Sequence, residues 1–204
     1  MENTDKVFTK SDSFKNFKNL KKLNYKDTLN KIFNIYEKNH SLVKQRFDSN
    51  FQKILNKSLE DLKSKNKSNT TFDLHENTLM EINSYSKDLD IIKYLVHRYR
   101  YEIFPQKKII DKFPPLVQIE PSSICNFRCV FCFETDKTFT NKKNGHMGTM
   151  DLDLFKKIID DIEGNVEFVT LASRGEPLVS KNFSKMLDYC KDKFLNLKIN
   201  TNAS

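Results

Sequence analysis

From Ser11 to about Lys65, apolar residues return every three or four positions among Lys, Asn and Glu: Phe14, Phe17, Leu20 and Leu23, then Leu29, Ile32, Phe33, Tyr36, Val43, Phe47, Phe51, Ile54 and Leu55. That period lays an apolar stripe along one side of a polar helix, and the stripe needs a partner surface. Ser64 to Thr71 is polar and aperiodic, which predicts a loop. The helical period resumes from about Glu76 to Tyr101, with Leu79, Ile82, Leu89, Ile92, Leu95, Val96 and Tyr99 on one side. No strand pattern occurs in residues 1–100. An all-α N-terminal region over residues 1–110 is expected.

The pattern changes at Pro105, Pro114 and Pro115, where a helical region gives way to an extended one. Leu116 to Glu120 predicts a short strand closed by Pro121. A polar, Lys-rich connection from Asp136 to Gly148 is expected to be flexible. Asp151 is placed to cap a helix whose buried face is Phe155, Ile158, Ile159 and Ile162, and Gly164 ends it. Val166 to Ala172 is nearly all apolar, as buried parallel strands are. A second helix over Ser180 to Lys193 aligns Phe183, Met186, Leu187 and Cys190, and Leu195 to Asn200 makes a third strand. The order β-α-β-α-β implies a parallel sheet with right-handed crossovers. The fold class is therefore α/β over residues 111–204, and three strands leave the sheet incomplete.

Charge adds little to this division. Residues 1–100 carry 20 Lys and Arg against 13 Asp and Glu, and the remainder 15 against 14. The excess is spread along helices rather than gathered with aromatics into a patch, so it predicts a solvated face and no nucleic-acid partner. The first residues lack the apolar core of a secretory signal, and no stretch reaches the roughly 20 apolar residues of a membrane span. A cytoplasmic protein without a membrane partner is expected. The thiol arithmetic suits that compartment: three of the four cysteines crowd one loop and Cys190 stands alone, which is no disulfide framework. Cys190, in helical register with Met186 and Leu187, is expected in the core.

The chemistry lies in Cys125-Asn126-Phe127-Arg128-Cys129-Val130-Phe131-Cys132. Three thiols at C-x3-C-x2-C spacing suit one inorganic centre, and thiolates select zinc or iron–sulfur. A structural zinc site closes with four ligands, and an electron-transfer cluster normally uses four cysteines. Three leave one position open to something that binds and reacts. The loop directly follows the first predicted strand, where parallel α/β folds place reactive groups. His40, His75 and His97 are not paired at i, i+4 with another His or with a carboxylate, and a Cys3His zinc site using His146 is the main structural alternative.

C-x3-C-x-aromatic-C resembles the cluster loop of the radical S-adenosylmethionine (SAM) enzymes. Arg174-Gly175-Glu176-Pro177, after the second strand, resembles that family's Gly-Gly-Glu or Gly-Glu-Pro element. The likeness covers roughly residues 115–204. It implies an incomplete (β/α) partial barrel of radical SAM type, in which Cys125, Cys129 and Cys132 hold three irons of a [4Fe–4S] cluster and SAM chelates the fourth. It further implies that Phe131 packs against the adenine, that Gly175 and Glu176 meet the methionine ammonium, and that Pro177 fixes the turn. Arg174 stands where many members have the first Gly. An electron from flavodoxin or ferredoxin would cleave SAM reductively to a 5′-deoxyadenosyl radical, which takes hydrogen from a substrate. No residue is assigned as catalytic or substrate-binding, and the substrate class, peptide or small molecule, stays open.

Members of that family close a six-stranded partial barrel, so a chain ending just after its third strand is expected to be a fragment of a longer protein. Two other readings fit the same residues: a non-catalytic iron–sulfur or zinc protein, and an inactive truncation whose helical half serves for docking.

Overall fold

The computed structural model describes residues 23–172 and 174–203. The expected helical positions Phe14, Phe17 and Leu20, and Ser173 in the second loop, lie outside them. The chain divides into two compact units, with the boundary between Tyr99 and Arg100.

In the first unit, the stripe expected as one helical run is two helices, α1 (Tyr25–Arg46) and α2 (Ser49–Lys63). The break comes at Phe47-Asp48. Asp48 accepts from the Phe51 amide at 2.7 Å and so starts a new helix instead of continuing the old one. The second run is likewise divided, into α3 (Glu76–Ser84) and α4 (Asp88–Gln106), and α4 carries Pro105 in its last turn. Ile32, Val43, Leu55, Leu59, Ile82, Ile92, Leu95 and Tyr99 are buried. Much of the expected apolar stripe is thus covered. Asp61, itself buried, accepts from the Phe72 amide at 3.0 Å and closes the loop after α2 back onto its helix.

The second unit contains a three-stranded parallel sheet, β1 (Leu116–Ile119), β2 (Phe168–Leu171) and β3 (Asn196–Ile199), in the order β1-β2-β3. Leu116, Phe168 and Asn196 stand in one row across it, and Ile119, Leu171 and Ile199 in another. Helices α5 (Leu152–Ile162) and α6 (Phe183–Cys190) form the two crossovers. Ile119, Val169 and Leu171 from the strands pack with Phe155, Ile159, Phe183, Met186 and Cys190 in one core. This is the incomplete α/β arrangement expected, with each helix burying the predicted face. Asp151 caps α5 through the amides of Asp153 at 2.8 Å and Leu154 at 3.3 Å. Gly164 takes φ +76°, the left-handed conformation that ends the segment.

Arg100 holds the entry to β1, donating to Asp111 Oδ2 at 2.7 Å and to the Phe113 carbonyl at 2.6 Å. The connection expected to be flexible contains a helical turn, Lys137–Thr140, and a 3₁₀ turn, Lys142–Asn144. Its far end is clipped back to the residues before the cysteines. Ser123 N donates to the Gly148 carbonyl at 2.9 Å, the Ser123 hydroxyl meets the His146 carbonyl at 2.9 Å, and Met150 N reaches the Pro121 carbonyl at 2.9 Å.

Candidate functional site

All three strands end at the same side of the sheet, and three loops leave it there: 120–132 after β1, 172–177 after β2 and 200–203 after β3. Parallel strands in register make this convergence obligatory. What the loops carry decides the chemistry.

The first loop starts from two buried serines. Ser122 Oγ accepts from Ile124 N at 3.0 Å, so the backbone turns sharply just before Cys125. Cys125 and Cys132 are half-buried and Cys129 is exposed, and none is in a disulfide. Cys132 N donates to the Cys129 carbonyl at 2.9 Å, which curls the second half of the loop. Phe127 N points at Cys125 Sγ, 3.4 Å away. Arg128 donates to the carbonyls of Cys125 and Phe127, both at 2.8 Å, and approaches the buried carboxylate of Glu134 at 3.5 Å. Val130 and Phe131 project outward, 92% and 90% exposed. An apolar ring so placed is available to a flat ligand.

The second loop packs against the first. At Gly175 a Cβ would stand 2.3 Å from the Ser122 carbonyl oxygen and 2.6 Å from the Ser123 carbonyl carbon. Only glycine allows the two backbones to touch there. Glu176 N then donates to the Ile124 carbonyl at 2.9 Å, immediately before Cys125. Pro177, also buried, opens a 3₁₀ turn over Pro177–Val179 with its φ already fixed. Arg174 pairs with Glu120 at 3.2 Å and lies over the Phe139 ring, 5.3 Å from its centre. The residue that departs from the glycine pattern therefore bridges the ends of β1 and β2.

The Glu176 side chain is 3% exposed. Its Oε1 accepts from Leu178 N at 3.0 Å and from the Thr201 hydroxyl at 2.7 Å, and its Oε2 from Asn202 N at 2.7 Å. Burial alone would push its carboxyl up. The Asn202 amide, the Thr201 hydroxyl and the Leu178 amide outweigh it and hold the group below the usual glutamate value. Glu176 is ionised and joins the second loop to the third. Asn202 continues the chain of contacts, donating from its side-chain amide to Asn126 Oδ1 at 3.1 Å and to Cys125 Sγ at 3.8 Å.

The spacing of the cysteines singles out the first loop and the Gly-Glu-Pro element the second, and the fold brings both to one end of the sheet. Glu120, Thr201 and Asn202 escape a reading of the sequence. The signal available for the last two is their position directly after a predicted parallel strand. His146 does not join the thiols in a zinc site: its ring lies on Phe139, centroids 5.4 Å apart. Among the described residues, no three His, Cys, Asp or Glu side chains converge on a single ion. The donor set itself, three unbridged thiols on one irregular loop, fits a cluster, whose ligands sit on different irons and stand farther apart than the ligands of one ion.

Residues 119–204 match the family model of the Radical SAM superfamily. A curated protein of Pyrococcus furiosus, described as a tungsten-containing aldehyde ferredoxin oxidoreductase cofactor-modifying protein, is 34% identical over 88 residues. Those residues are 42% of this chain and 23% of the relative, so the chain spans less than a quarter of that protein's length. No solved structure matches the chain significantly. Among the described residues, no helix is long and apolar enough to cross a membrane.

Proposed function

Because residues 119–204 match the family model of the Radical SAM superfamily, we propose that this chain carries the cluster-binding and methionine-binding part of an enzyme that cleaves SAM reductively. The observation that carries the proposal is the docking of the Gly175-Glu176 backbone onto residues 122–124, which sets the two motif loops side by side at the carboxyl ends of β1 and β2. Cys125, Cys129 and Cys132 would hold a [4Fe–4S] cluster. When bound, the cluster and SAM supply a 5′-deoxyadenosyl radical that abstracts hydrogen from a substrate.

The chain's own residues would divide the remaining work. Phe131, exposed at the rim of the loop, offers an aromatic face to the adenine. The backbone at Gly175 lines the approach for the methionine ammonium. Glu176 adds a fixed negative charge, held ionised by its three donors, so it favours that cation without needing to lose a proton first. Pro177 sets the direction in which the chain leaves the site. The reductant would be flavodoxin or ferredoxin. The residues after β3 and the helices of the first unit are where substrate selection is to be sought.

The test is metal content and SAM cleavage. After anaerobic incubation with iron and sulfide, the chain is expected to bind about four irons, and each of Cys125→Ala, Cys129→Ala and Cys132→Ala to lose the cluster. The reduced protein should release 5′-deoxyadenosine from SAM. One tightly bound zinc and no affinity for SAM would refute the proposal.

A further inference from the structure

We propose that Asn202 is a positioning residue for the first cysteine ligand, held in place by Glu176, and that its amide makes the centre bound at Cys125 easier to reduce. This rests on the cluster reading above. The geometry is a relay across three loops. Glu176 N grips the Ile124 carbonyl, one residue before Cys125. Its carboxylate grips the Thr201 hydroxyl and the Asn202 amide, two and three residues beyond the end of β3. The Asn202 side chain then returns to the first loop, meeting Cys125 Sγ at 3.8 Å and Asn126 Oδ1 at 3.1 Å.

Among the described residues, the N–H groups of Phe127, from within the loop, and of Asn202, from outside it, both face Cys125 Sγ. They differ in what sets them. The Phe127 amide comes with the local turn, whereas Asn202 is 77 residues away and arrives only because β3 pairs in register with β2 and Glu176 fixes the loop beyond. A donor to a thiolate ligand draws off negative charge. Reduction adds a further negative charge to the centre, so such donors favour the reduced state and raise the potential. The same nitrogen also donates to Asn126 Oδ1, a second contact that keeps it beside the sulfur.

Three substitutions in the full chain test this. Asn202→Ala removes the donor. Asn202→Asp keeps the shape, replaces the donor by an acceptor and adds a negative charge. Glu176→Gln keeps the size but places an amide donor against the donors of the loop after β3. In the metal-free protein, hydrogen exchange should show the Asn202 amide protected in the wild type and unprotected in Glu176→Gln. In the iron-loaded protein, a potentiometric titration followed by EPR should give a more negative midpoint for Asn202→Ala, and a still more negative one for Asn202→Asp, with iron content unchanged. Equal midpoints in all three proteins would overturn the role of Asn202 while leaving the cluster reading intact. An unprotected Asn202 amide in the wild type would overturn the tie to Glu176. A wild-type chain that takes up no iron would overturn the cluster reading itself, and with it the effect on potential.

Discussion

At Gly175 the deciding fact is distance: a methyl group there would meet main-chain atoms of Ser122 and Ser123, which have no flexible end to swing aside. Gly175→Ala is therefore expected to cost about 1–3 kcal/mol through forced backbone movement, read as a lowered midpoint of thermal unfolding. Glu176 gives a pH signature. Its native carboxyl lies below the ordinary value, so the native state binds fewer protons than the unfolded state as pH falls into the acid range. The stabilisation is complete above the unfolded value and is lost as pH falls through the native one. Urea midpoints should show Glu176→Gln destabilised at neutral pH by roughly 1–3 kcal/mol, with the gap to wild type closing below about pH 4. Cys190 is the contrasting thiol. Burial pushes it up to about 11, against a small opposing effect of Lys193. In the metal-free protein, a thiol reagent should titrate three cysteines in the native state and the fourth only in denaturant. A native count of four would place Cys190 outside the core.

Among the elements, α5 ties local sequence to the whole second unit. Asp151 satisfies two amides at its start, and Phe155, Ile159 and Ile162 fill the core beneath the sheet. Asp151→Ala should cost about 1 kcal/mol and Phe155→Ala about 3–5 kcal/mol, both measurable by denaturant unfolding. These features were legible in the sequence because caps and helical faces are written within a few residues of one another. The three thiols were legible for the same reason. The helix breaks were not: Phe47 continues the apolar stripe of α1, and the side-chain cap from Asp48 wins over that period. Nor was the carboxylate relay, since Glu176 and Thr201 are 25 residues apart and meet only once β2 and β3 are paired. The sequence marks Glu176 for a ligand, and the structure adds that both of its oxygens already hold the loop after β3. Position 174 shows the limit of a motif read by itself. Arginine there is a departure from glycine in the sequence and a strand-to-strand bridge to Glu120 in the fold.

For the whole molecule, the helical unit and the parallel sheet divide the work. The candidate chemistry lies at the sheet ends, while the helices of the first unit bury much of their apolar stripes. Three loops from three strands form the candidate site, and the residues linking them are charged or amide side chains with partners in neighbouring loops. The central question is whether that site binds a cluster with an open iron. The most direct measurement is EPR of the anaerobically reconstituted, dithionite-reduced protein, recorded with and without SAM. A [4Fe–4S]+ signal is expected that SAM alters and that Cys129→Ala abolishes. A signal indifferent to SAM, or a protein that takes up zinc in place of the cluster, would contradict that expectation.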